Sequence, residues 1–170
     1  MKLTLSLLTC TTLLLSGCAS VYQYKNEGAS ATLNVPKFDT EYRLLGGFSG
    51  GMVMISPEKT KNCGEFTVIS KDKVGEKDIN VNIPANKDLF VHVSRYNGNA
   101  SCAVVGVFSP QADKSYKVLF NMQSYNMSKH RCNSGVVEVT KDGQFKPVVL
   151  KRAFASTWDG IKVCKSKAQL

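Results

Sequence analysis

The sequence predicts an all-β chain folded as a two-sheet β-sandwich, and three observations carry that expectation. Apolar and polar residues alternate with period two along most of the chain, and turn-forming clusters recur at intervals of roughly ten to fifteen positions. Beyond the N-terminus, no segment sustains a 3.6-residue apolar stripe. Alternation is the pattern of a strand with one face buried and the other in water. About 8–10 short strands with little or no helix fill a chain of this length as two packed sheets.

The strands follow in order. Residues 31–35 alternate and stop at Pro36, residues 41–45 follow, and the apolar run 52–55 closes at Ser56-Pro57. Residues 65–69 lead into a charged turn over residues 71–78. Ile79, Val81 and Ile83 then alternate with Asp78, Asn80 and Asn82, the mark of a half-buried strand. Pro84-Ala85-Asn86-Lys87-Asp88 makes a turn, and Leu89, Val91 and Val93 mark the strand leaving it. Val104, Val105, Val107 and Phe108 come after Cys102, with Gly106 expected at a bulge or bend. After the turn at residues 109–114, Tyr116, Val118 and Phe120 alternate. Residues 135–140 run into Lys141-Asp142-Gly143-Gln144, where Asp-Gly between two β-like runs signals a hairpin, and residues 145–150 pair back. Lys37-Phe38-Asp39, Trp158-Asp159-Gly160 and the last six residues fit no element.

The N-terminus follows different rules. Met1-Lys2 gives a short positive start, and the apolar run that ends at Leu15 has the length of a secretory h-region, short of the roughly 20 residues a membrane-spanning helix needs. It ends on Leu15-Ser16-Gly17-Cys18, which resembles the lipobox of bacterial lipoproteins at every position. The resemblance implies that Cys18 is the lipid-attachment residue and the first residue of the mature chain, and that residues 1–17 are a signal peptide. Ala19 after the cysteine implies the cell outer membrane, with the domain facing the periplasm. Residues 18–30 are expected to form a lipidated leader and residues 31–170 a single sandwich domain. Fully extended, the leader would let the domain sit at most about 40 Å from the anchor.

Removal of residues 1–17 leaves 153 residues and takes away one lysine, lowering the formal net charge from +9 to +8. The basic residues are scattered, with Lys129-His130-Arg131 and Lys151-Arg152 as the densest points, so they read as a solvated surface and no nucleic-acid partner is expected. With Cys10 in the signal and Cys18 lipidated, four cysteines remain, and an even number in an oxidising compartment implies two disulfides. The expected pairing is Cys102 with Cys132, which flank one predicted strand, and Cys63 with Cys164; Cys63 with Cys102 is the rival. His130-Arg131-Cys132 lacks the paired spacing of a structural zinc site, so neither a metal nor any other cofactor is expected.

The order Ile79-x-Val81-x-Ile83-Pro84-Ala85, Cys102, Phe108-Ser109-Pro110-x-Ala112, Tyr116-x-Val118 and Cys132 is similar to small bacterial lipoproteins with an immunoglobulin-like or transthyretin-like sandwich. It covers roughly residues 79–140 and implies a fold without an active site.

Candidate chemistry is sparse. The glycines of Gly46-Gly47-Phe48-Ser49-Gly50-Gly51 lack the Lys-Ser or Lys-Thr of a phosphate loop and read as a turn between strands. His92 falls on the second face of its strand as a surface or partly packed residue, and no Gly-x-Ser-x-Gly frame accompanies Ser49. Tyr22, Tyr24, Tyr96, Tyr125 and Trp158 are candidate contact aromatics. The chain is therefore expected to be a non-enzymatic interaction or assembly module of the cell envelope, with the membrane (through its lipid) and another envelope protein as partners. The alternative is a periplasmic binding or inhibitor protein for a soluble target, although a charge of +8 disfavours a cationic one.

Overall fold

The computed structural model describes residues 22, 24, 28–38, 41–43, 47–57, 63–71, 78–98, 100–126, 129–156 and 162–165. These residues form thirteen strands: β1 (Ser30–Val35), β2 (Glu41–Arg43), β3 (Gly47–Pro57), β4 (Cys63–Glu65), β5 (Thr67–Lys71), β6 (Ile79–Pro84), β7 (Leu89–Asn97), β8 (Ala100–Phe108), β9 (Ser115–Asn126), β10 (Lys129–Val139), β11 (Phe145–Pro147), β12 (Lys151–Ser156) and β13 (Lys162–Lys165). The number exceeds the eight to ten expected because three further strands that no alternating pattern marks, β4, β12 and β13, pair through tertiary neighbours in the second sheet.

Two sheets result, and the all-β sandwich expectation holds at that level. The first has the order β11-β10-β9-β1-β6; its ladders are antiparallel except for the parallel pair β1–β9. The second runs β2-β3-β7-β8-β12-β13-β4. Because β7 occupies one edge of β3 along residues 49–57, β2 and β5 take successive halves of the other edge.

The core lies between the sheets. Period two turns Ala31, Leu33 and Val35 inward from β1, with Ile79, Val81 and Ile83 opposite them on β6. Val53 and Ile55 from β3, Leu89, Val91 and Val93 from β7, and Tyr116 and Val118 from β9 complete it. Leu33, Ile55, Ile83 and Leu89 are wholly buried, each contributing about 1.5–3 kcal/mol by leaving water. The outer face of β7 is covered too. Phe90 packs with Val107 beneath Phe66, Val105 and Ala153, so β7 is apolar on both faces near its start.

At one end, the two turns that carry the chain between sheets are bonded together. Asn86 N–H donates to the Pro110 carbonyl at 2.6 Å, Ala85 N–H to Ala29 and Asp113 N–H to Ser30, both at 2.9 Å. Asn86 and Asp113 adopt left-handed φ values of 59° and 60°, which short polar side chains tolerate. Edge-on packing of Phe108 against Tyr116, with centroids 5.2 Å apart, fills this end, and Gln111 N–H donates to the Tyr116 hydroxyl at 2.9 Å.

The other end is pinched by the Cys102–Cys132 disulfide, the pairing expected from sequence. It joins β8 of one sheet to β10 of the other across a Cα separation of 6.2 Å, inside the usual disulfide range and well under the ~10 Å of stacked sheets. Neither cysteine opens its strand; the strands begin at Ala100 and Lys129. The expected hairpin is present. Val139 pairs with Phe145, Gly143 takes φ 79°, and Gly143 N–H donates to the Thr140 carbonyl. Its return strand ends at Pro147, shorter than the 145–150 expected.

Two glycine expectations are corrected. Gly47–Gly51 is the start of β3, paired with β2 and β7, and not a turn between strands. At Gly51 an added Cβ would stand 2.6 Å from the Phe38 ring and 2.7 Å from the Ser94 carbonyl oxygen, so glycine is there to let a ring lie on the strand. Phe38, which fitted no element, is that ring. It is buried, meets Phe120 edge-on at 5.7 Å and has the Arg95 guanidinium 5.9 Å from its centre. Gly106 is likewise in a regular ladder opposite Val91, and its missing side chain admits Leu150.

Gly51→Ala is therefore expected to lower unfolding free energy by about 1–3 kcal/mol in urea titration, with Phe38→Leu in the same chain recovering part of the loss. Replacing Cys102 and Cys132 together by alanine is expected to cost about 3–4 kcal/mol, the chain-entropy value for a loop of this size, measured by the same titration.

Candidate functional site

The outer face of the five-stranded sheet carries an array of polar side chains. Register fixes it. One row across the sheet reads Asn82, Thr32, Ser115, Val139 and Phe145, and the next reads Asn80, Asn34, Lys117, Val137 and Pro147, each residue opposite its neighbour in the ladders. They take the face opposite Leu33, Ile83, Tyr116 and Val118, and of them Val137 is buried. Thr32, Asn34, Asn80, Ser115, Lys117 and Phe145 line a shallow concavity of about 380 Å³.

Its polar groups are held from several sides. Asn34 Nδ2 donates to Asn80 Oδ1 at 2.9 Å, and Asn34 Oδ1 has no hydrogen-bond partner among the described residues. Lys117 Nζ lies 3.1 Å from Asp78 Oδ2, a partly exposed ion pair that balances the local charge. Phe145 is 61% exposed, a large ring left in water at the end of a row, and Leu119, 41% exposed, follows further along β9. The lining contains no histidine, cysteine or carboxylate; its polar groups are the amides of Asn34 and Asn80, the hydroxyls of Thr32 and Ser115 and the Lys117 ammonium, beside Tyr116, Val139 and Phe145.

The sequence-predicted residues fall elsewhere. Cys18 and Trp158 lie outside the described residues. Cys63 and Cys164 are directly opposed in the β4–β13 ladder. His130 is a backbone member of β10, Tyr125 of β9, and Tyr96 is exposed near the end of β7. Tyr22, assigned to a leader without structure, packs against the core and donates its N–H to the Val68 carbonyl at 3.0 Å. Burial, followed by the nearby Tyr24, pushes its phenol up to about 12.

His92 sits on the second face of its strand as expected, but it is buried, only 6% exposed, with its ring 5.5 Å from that of Phe66. Ser56 and Ser94 are buried on the same face, and Ser56 Oγ, His92 Nδ1 and Ser94 Oγ have no partner among the described residues. Burial holds the imidazole below its usual 6.5. No group of three possible metal ligands occurs among the described residues, nor any helix long and apolar enough to cross a membrane.

Because the folded state resists protonating His92, its contribution to stability is complete above pH 6.5 and declines as pH falls toward the lowered value. Thermal midpoints measured from pH 7.5 to 5 are expected to drop less steeply in His92→Leu than in the parent chain.

No protein-family model, curated protein or solved structure matches this chain.

Proposed function

We propose that this chain is a lipid-anchored protein of the cell envelope whose sandwich serves as a non-enzymatic binding or assembly module at the periplasmic face of the outer membrane. The observation that carries the reading is Cys18, placed after the small pair Ser16-Gly17 at the end of a signal-length apolar run. An inter-sheet disulfide suits the oxidising compartment to which such a signal delivers. Three residues separate Cys18 from Tyr22, whose backbone is tied to β5, so an acylated Cys18 holds Tyr22 within about 14 Å of the anchor, far closer than the 40 Å of a free leader. A concavity lined by amides, hydroxyls and an exposed ring suits binding.

The finer fold assignment is an immunoglobulin-like or transthyretin-like sandwich with a second disulfide between Cys63 and Cys164. The first part is supported by the Cys102–Cys132 bridge between sheets and by the Tyr116 hydroxyl accepting from a backbone N–H five residues upstream. The second is supported by register, since opposed antiparallel residues have Cα atoms about 4.5–5.5 Å apart, within disulfide reach.

Cells fed labelled palmitate are expected to label the parent chain, which then partitions into detergent, and Cys18→Ser is expected to lose both label and partition. Retention of both by Cys18→Ser rules out the anchor.

A further inference from the structure

The geometry points to a saccharide-binding site in the concavity on the outer face of the five-stranded sheet, accepting one or two sugar rings of a neutral glycan. The inference deepens the binding-module reading by naming a ligand class, and it does not depend on how the chain is anchored.

A sugar ring presents hydroxyls around its edge, each both donor and acceptor, and patches of C–H on its faces. A site for it needs mixed donors and acceptors close to an apolar surface. The two rows supply both. Asn34 and Asn80 each carry an amide donor pair and a carbonyl acceptor, Thr32 and Ser115 carry hydroxyls, and Lys117 carries an ammonium. The Asn34 amide is fixed on Asn80 at 2.9 Å, which sets the orientation of that side chain, while its Oδ1, shielded from solvent, lacks a partner among the described residues. At the other end of the row, beyond Val139, Phe145 offers an exposed ring on which a C–H face can stack.

Charge decides between ligand classes. The +9 chain attracts polyanions at long range, but inside the concavity the one ammonium is matched by Asp78 at 3.1 Å. A sulfated or phosphorylated chain would meet one neutralised lysine among uncharged groups, whereas a neutral sugar meets amides and hydroxyls beside the apolar surface of Val139 and Phe145. Size agrees. A volume of about 380 Å³ is at the small end for ligand sites and suits one or two rings. A row of five strands spans about 19 Å at 4.7–4.9 Å per spacing, leaving a longer glycan free to continue along the sheet. The side chains stand on paired strands, so little ordering is required on binding.

The test titrates the full mature chain, in detergent micelles, with four probes: maltotetraose, cellotetraose, chitotetraose and dextran sulfate. Amide shifts and calorimetry are read together, with detergent partition checked on the same sample. At least one neutral tetrasaccharide is expected to bind in the micromolar to millimolar range and to shift the amides of Thr32, Asn34, Ser115 and Phe145. Phe145→Ala and Asn34→Ala are each expected to weaken binding at least tenfold with thermal midpoints near the parent's, and Leu119→Ala, on the same face but outside the concavity, to leave it unchanged. Binding of dextran sulfate alone, no shifts with any neutral probe, parent-like affinity in both concavity variants, or a dimer that Phe145→Ala dissociates would each overturn the site. Loss of glycan binding with partition intact removes the site and leaves the anchored module. Binding by a chain that does not partition keeps the site and removes the anchor.

Discussion

The structure depends on joining two sheets whose apolar faces have no other partner. The Cys102–Cys132 bridge holds β8 to β10 at one end. At the other, Asn86 N–H and the Pro110 carbonyl tie the crossing turns together. Between these two closures lie Leu33, Ile55, Ile83, Leu89 and Val118, and their burial is the bulk of the driving force. Neither sheet is viable alone: each would expose one full apolar face.

The two sheets differ in what they leave to solvent. The second is covered on both faces around β7, where Phe66 and Ala153 pack over Phe90 and Val107. The outer face of the first carries amides, hydroxyls and, among the described residues, the exposed Phe145 and Leu119, with Val137 buried in the same face. His92, Ser56 and Ser94 are buried on the covered outer face of the second sheet.

Local signals in the sequence were enough for some elements. Alternation of Ile79, Val81 and Ile83 with Asn80 and Asn82 located a half-buried strand, and Asp142-Gly143 located the hairpin, because both patterns are decided by immediate neighbours. The Cys102–Cys132 pairing followed from the strand between them. Gly47–Gly51 was misread as a turn because the ring that requires Gly51 belongs to Phe38, thirteen positions earlier and on another segment. Tyr22 was left in a free leader for the same reason: its partner, Val68, is remote in sequence. The concavity was legible only as polar faces of separate strands; bringing Asn34, Lys117 and Phe145 together takes the parallel β1–β9 pair, which no local pattern signals.

The most direct test of this architecture is peptide mapping of the mature protein under non-reducing conditions. The account predicts one cross-linked peptide pair containing Cys102 and Cys132, released only on reduction. Recovery of Cys102 joined to Cys63 would contradict the joined sheets, and its recovery as a free thiol would contradict the joined sheets and the oxidising compartment together.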